Sequence, residues 1–364
     1  MKKIMWLIPV LAVASTVADA QELKFKGDVR IREEYIDEQG KDARNRLRLR
    51  LRFGGEAKVN DEVKAGFRVA SGNDDPVSTN QSFDDSFSSK DVKLDMAYLA
   101  WTAVEGVTLT GGKMANPLAA AGTSMVWDDD LTPEGISAKL GGDLSDGVKL
   151  DVNAGGFVID ERSADDEVML YGGTAALVLG GQDGAPTTTI GGGYFLYDGV
   201  AGSAPFYDGK TFGNSSVKIP AEEEGGEETL EFAGDYAIAE GFARVGLDAG
   251  VPFEVFGHYA VNTDAVSDED TAYTVGVVLG KAKDPDSLEL EYAWRSVEKD
   301  AVFGTFSDSD FSGGGTDGEG HILKGKYMLA KNYQLGTTLL LNEKAMSKGG
   351  TDYTRLQVDF AAKF

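Results

Sequence analysis

The residues best equipped for chemistry in this chain are charged, and they fall into three groups. The first is a run of guanidiniums at alternate positions, Arg44, Arg46, Arg48, Arg50 and Arg52, preceded by Arg30 and Arg32. The second is the triplet Asp128, Asp129 and Asp130. The third is Asp308, Asp310 and Ser312, followed by Gly313 and, later, by Glu319. A row of fixed cations facing acids across water makes two opposed poles, a device by which channels choose ions. Acids at positions 1, 3 and 12 around a glycine at 6 match the spacing of an EF-hand calcium loop. Calcium held by Asp308, Asp310, Ser312 and Glu319 is therefore the cofactor that spacing offers. Gly315 replaces the apolar residue such a loop carries, and the flanks read as strands, so a solvated loop is the plainer reading. Histidine occurs only as His258 and His321. No local motif pairs either with a nucleophile, so no catalytic residue and no enzyme activity is expected.

The element that must position the arginines is a β-strand. Successive side chains of a strand point to opposite faces. Arg44 to Arg52 thus share one face, and Leu47, Leu49, Leu51 and Phe53 share the other. On a lipid-facing wall each arginine near the midplane would cost about 2–4 kcal/mol. The arginines are expected to face a watery lumen, and the leucines hydrocarbon.

Composition narrows the setting. The chain of 364 residues carries a net charge of −25, which argues against nucleic acid as a partner despite the arginine run. It has no cysteine, hence no disulfide framework and no thiolate metal site. Its 47 glycines against 9 prolines suit a β protein with many tight turns. Met1-Lys2-Lys3, an apolar Ile4–Ala14 and Ala18-Asp19-Ala20 read as a signal peptide over 1–20, cut before Gln21. No later apolar run is long enough for a transmembrane helix. A soluble secreted β protein and a membrane β-barrel remain.

Loop lengths decide between them. Ten-residue alternating segments recur along 21–364, and their connections alternate short and long, as in outer-membrane barrels with short periplasmic turns and long external loops. Counting Thr229–Gly250 as one strand, with Gly241–Ala249 in the membrane and Thr229–Ile238 as an outer extension, gives about sixteen strands. The fold class is an all-β, antiparallel, up-and-down transmembrane β-barrel. Residues 114–133 are expected to form a loop folded into the pore, 198–240 a long external loop region, and 298–320 an Asp/Gly-rich external loop. Asn214-Ser215-Ser216 matches a glycosylation acceptor triplet. Tyr98, Trp101, Tyr194, Tyr197, Tyr259, Tyr292 and Trp294 fall near strand ends, as interfacial aromatics do. Phe360 and Phe364 occupy the apolar phase of the last strand and resemble the assembly signal of outer-membrane barrels.

Several stretches resemble one family, the putative porins of Gram-negative outer membranes. They are the arginine strand, Gly112–Pro117, Val126–Gly135, Pro252–Tyr259 closing at Asn262, and Glu298–Phe303 continuing to Asp308–Phe311 and Gly314–Asp317. The resemblance implies a sixteen-stranded barrel, a homotrimer, and passage of small hydrophilic solutes. The expected partners are outer-membrane lipid, the barrel-assembly machinery and small solutes. The competing reading is a non-conducting barrel whose external loops serve adhesion, reception or surface structure.

Overall fold

The computed structural model describes residues 22–163, 166–181, 186–220, 228–248 and 250–364. The expected signal peptide lies outside them. Among the described residues sixteen strands form the wall: β1 (Leu23–Glu38), β2 (Arg44–Lys58), β3 (Val63–Ser71), β4 (Val92–Val104), β5 (Val107–Lys113), β6 (Glu134–Ser145), β7 (Val148–Asp160) and β8 (Val168–Gly180), then β9 (Thr187–Asp198), β10 (Tyr236–Asp248), β11 (Pro252–Asn262), β12 (Thr271–Gly280), β13 (Leu288–Val297), β14 (Gly318–Ala330), β15 (Tyr333–Lys344) and β16 (Thr351–Lys363). Each pairs antiparallel with its neighbours in the chain, and β1 pairs with β16 from Asp28↔Lys363 to Glu38↔Tyr353. The sheet is therefore closed and leaves no open edge. Gly27 and Phe364 exchange backbone hydrogen bonds of 2.8 and 3.0 Å at this seam. A Cβ at Gly27 would come within 2.7 Å of the Phe364 ring, so glycine there makes room for the aromatic.

The alternation works as the sequence implies. Leu47, Leu51 and Phe53 are exposed on the outer face, as are Val255, Val275 and Leu290 further round. The short turns gather at one end of the barrel with the Gly27–Phe364 seam. At the Lys331–Asn332 turn Asn332 adopts a φ of 61°, and at Glu105–Gly106 the glycine adopts 80°, as tight hairpins demand. The long connections gather at the other end.

Two expectations are corrected here. Thr229–Phe232 does not extend a wall strand; it pairs with Ser216–Ile219 as a separate hairpin, and β10 begins at Tyr236. The break falls at Asp235, whose carboxylate accepts the N–H groups of Val200 and Ala201 at 2.7 and 2.9 Å and turns the chain. Tyr98 and Tyr197 are not girdle residues. Tyr197 is buried inside, and Tyr98 faces inward to donate to Glu56 at 3.3 Å.

The barrel also holds a core where a plain water-filled cylinder would have none. Trp127, Phe195, Tyr197, Phe232, Tyr236 and Phe303 are buried together in the half nearer the long loops. Phe303 lies 5.0 Å from Tyr197 and 5.3 Å from both Phe232 and Tyr236, between ring centroids. Burying such a side chain is worth about 1.5–3 kcal/mol, enough to draw three loops inward. Asn214 locks two of them together: its amide donates to the carbonyls of Lys299 and Val302 at 2.8 and 2.9 Å and accepts from the Gly304 N–H at 2.8 Å. The triplet that matches a glycosylation acceptor thus has its asparagine buried as a clamp.

Two outcomes test this arrangement. Asn214→Ala should leave the Val302 carbonyl and the Gly304 N–H without their partner, while the Lys299 carbonyl keeps the Thr316 hydroxyl at 2.7 Å. It should cost about 2–3 kcal/mol, seen as faster proteolysis of residues 199–235 with the barrel intact. Val255→Arg on the outer face should lower stability in lipid vesicles by about 2–4 kcal/mol, measured by urea unfolding.

Candidate functional site: two infolded loops in a charged lumen

The connection from β5 to β6, residues 114–133, crosses the interior. Leu118, Met125, Val126 and Trp127 on it are buried. On one side Asp130 reaches Arg52 at 3.0 Å and Arg50 at 3.7 Å. On the other, Arg244 of β10 donates to the carbonyls of Ala121 and Gly122 at 3.2 and 3.0 Å. Thr123 Oγ1 lies 2.7 Å from Nδ1 of His258, whose Nε2 lies 3.0 Å from Glu240 Oε2. Both His258 and Glu240 are buried in the β10–β11 wall. This Glu–His–Thr chain ties the loop tip to the wall.

The connection from β13 to β14, residues 298–317, also turns inward. Expected as an external loop, it instead buries Val302, Phe303 and Phe311. It meets the first loop along a seam: the Asp128 N–H donates to the Phe306 carbonyl at 2.8 Å, the Ser309 N–H to Asp128 Oδ2 at 2.9 Å, and the Asp308 N–H to the Ser124 carbonyl at 3.1 Å.

The arginines all project from the inner face of β1 and β2, and most are paired. Arg46 bonds Glu34, while Arg50 and Arg52 share Asp28 at 2.7 and 2.8 Å. Arg32 takes Asp359 at 2.7 Å, and Arg48 lies 3.7 Å from Glu34. Arg30 donates to Asn80 at 2.6 Å. Arg44 is exposed at the rim and has no carboxylate within reach among the described residues. Asp130 stands against this wall rather than across a gap from it.

Asp128 lies in the seam between the loops, and Asp129 borders an open cavity. Burial and the neighbouring charge of Asp308 push the Asp128 carboxyl up to about 8, and the same two causes raise Asp129. Asp310 goes the other way. Against the cost of burial, Arg355 and Arg32 hold it well below the usual carboxylate range.

The calcium quartet does not converge. Asp308 pairs with Arg295 at 2.7 Å and Asp310 with Arg355 at 2.7 Å. Ser312 donates to the Glu343 carbonyl at 3.1 Å, and Glu319 lies in β14 beside Ser296. No group of three or more acids and histidines fit to hold a metal occurs among the described residues. His321 sits on the outer face, 3.0 Å from the Tyr292 hydroxyl.

Between the first loop and the wall from β10 to β14 lies a cavity of about 760 Å³. Its lining charges come as neighbours of opposite sign: Arg244 with Glu254 at 2.5 Å, Lys326 with Glu289 at 2.7 Å and Lys324 with Glu291 at 3.1 Å. Glu289↔Lys326 and Glu291↔Lys324 are direct cross-strand partners in the register of β13 and β14. Sequence reasoning missed these residues. Their signal was present, in the matching alternations Glu289-x-Glu291 and Lys324-x-Lys326.

The sequence matches the family model described as "Putative porin" over residues 35–203 and 218–364. The chain belongs to that porin family. No curated protein matches the sequence. Among solved structures, OprB of Pseudomonas putida superimposes with a TM-score of 0.60 at 11% identity over 94% of each chain. OmpF of Salmonella typhi, solved as a complex with daunomycin, gives 0.55 at 13% identity over 94% of this chain and 98% of that one. A loop-deletion mutant of OmpT of Vibrio cholerae gives 0.54 at 14% identity, over 95% of this chain and 100% of that one. At such identities the likeness is one of fold, and the fold is a porin's sixteen-stranded antiparallel barrel.

The seam of this porin should respond to pH. With its folded-state pKa raised, Asp128 binds a proton more readily folded than unfolded, so its contribution weakens as pH rises from about 4 through about 8. Asp128→Asn should flatten the pH dependence of the unfolding midpoint between pH 5 and 9, measured against the native sequence.

Proposed function

We propose that the chain is a passive diffusion channel of a Gram-negative outer membrane, passing small hydrophilic solutes or ions without turnover. The observation that carries this reading is the charged cavity of about 760 Å³ beside an infolded loop, within a barrel wide enough for water. On this reading the chain works as a homotrimer, inserted by the barrel-assembly machinery. Arg30, Arg32 and Arg44 to Arg52 line one side of the lumen, and Asp128 to Asp130 edge the constriction.

Charge pairing on the cavity wall argues for weak ion preference despite the strongly acidic sequence. Much of that acid lies in the long loops, whereas each cationic rung of β13 and β14 faces an acid at about 3 Å. Replacing Lys324 and Lys326 by alanine would leave Glu289 and Glu291 uncompensated, and reversal potentials in a salt gradient should then shift towards cations. Glu289→Gln with Glu291→Gln should shift them towards anions. Replacing Arg46, Arg48 and Arg50 by alanine should also favour cations, since Glu34 and Asp28 lose partners. Unchanged potentials in all three variants would remove the cavity and the ladder from the conduction path.

A second reading, a non-conducting barrel serving through its loops, is favoured by the aromatic core under the loop end. Single-channel recording in a planar bilayer separates the two. Step-like openings support the channel, and a folded but silent barrel supports the alternative. His258→Ala, which cuts the tether of the loop tip, should make any openings larger or noisier.

A further inference from the structure

The 298–317 loop places one carboxylate among the guanidiniums of the nearby β16–β1 wall. Asp310 Oδ1 lies 2.7 Å from Arg355 Nη2, and Asp310 Oδ2 accepts from Gln357 Nε2 at 2.9 Å and Arg32 Nη1 at 3.2 Å. Both oxygens are thus met by groups from three positions on β1 and β16, a multidentate arrangement suited to a small oxyanion. The side chains of Arg32 and Arg355 are 7% and 4% exposed, whereas that of Asp310 is 29% exposed. The donors are built into the wall, and their ligand faces water.

Charge count explains why an anion belongs there. Arg32, Arg46, Arg48 and Arg355 all lie within ion-pair reach of Glu34, a single carboxylate. Asp359 compensates Arg32 from the other side at 2.7 Å. Without Asp310 these four cations would share two acids, and Arg355 Nε already lacks a partner among the described residues.

The loop is held without Asp310. Asp308 binds Arg295 at 2.7 Å, the Arg295 guanidinium lies 5.0 Å from the centre of the Phe311 ring, and the Ser312 N–H donates to Asn342 at 3.1 Å. Trimming Asp310 would therefore leave a hole the size of a carboxylate rather than release the loop.

We propose that Arg32, Arg355 and Gln357 form an oxyanion pocket that the chain fills with its own Asp310. A small free carboxylate or phosphate takes the same place when that side chain is absent or withdrawn. The pocket is distinct from the cavity beside β10 to β14, and it makes this part of the arginine wall a self-occupied anion site rather than bare lumen.

The test uses the full barrel, with formate and inorganic phosphate as separate probes at constant ionic strength. In Asp310→Ala, thermal unfolding should shift upward and saturably with either probe, and calorimetric titration should show binding at least tenfold tighter than in the native sequence. A response to formate alone would limit the pocket to carboxylates. Asp310→Asn, which fills the space without the charge, should bind at least tenfold more weakly than Asp310→Ala. No saturable response in Asp310→Ala, or one equal to that of the native chain, would overturn the proposal. Should Asp310→Ala not fold, refolding with phosphate present is the second readout: recovered barrel supports the pocket, and none counts against it. Both readouts are independent of whether the barrel conducts.

Discussion

Guanidinium and carboxylate groups pair inside this barrel because the wall forces the cations there. A strand whose alternate residues are arginine has one side that lipid will not tolerate, so those side chains converge on the lumen. Packed at strand spacing, they repel one another unless acids come between them. The wall supplies Asp28, Glu34 and Asp359, and the infolded loops supply Asp130 and Asp310. Pairing with the arginine wall is therefore part of what holds the 114–133 loop inside, and it sets Asp310 of the 298–317 loop against the same wall.

A second force works at the opposite wall. Phe303 and its aromatic neighbours leave water by packing against Tyr197 and Tyr236 from inside, which seats the 298–317 loop over the 114–133 loop. Electrostatic docking on one side and apolar burial on the other leave open space against β10 to β14, where the cavity lies. The geometry of any passage is thus what remains after both loops have satisfied their own side chains. Two infolded loops meeting at Asp128 also give the interior a seam that a single constriction loop would lack.

Much of the wall was legible from sequence because alternation is a local property. The sixteen wall strands are the number the alternation implied, and the arginines face the side that lipid cost demanded. The departures have one cause. Tyr197 stands near a strand end, as girdle residues do, and Tyr98 at mid-strand, yet both face inward, because position along a strand does not tell which face meets a partner from a distant loop. Thr229–Phe232 has strand character but pairs with Ser216–Ile219, a choice made by the turn at Asp235.

The site divides along the same line. The sequence by itself determined the two-faced strand, the closed sixteen-stranded wall and the family, since these follow from a period of two and from loop lengths. It also marked 114–133 as the loop that enters. Only the tertiary structure decided that 298–317 enters as well, that Asp310 meets Arg32 and Arg355, and that Asn214 is a buried clamp. Those contacts join residues far apart in the chain, and no local spacing encodes them; they arise when charge neutralisation and aromatic burial are met within one closed volume.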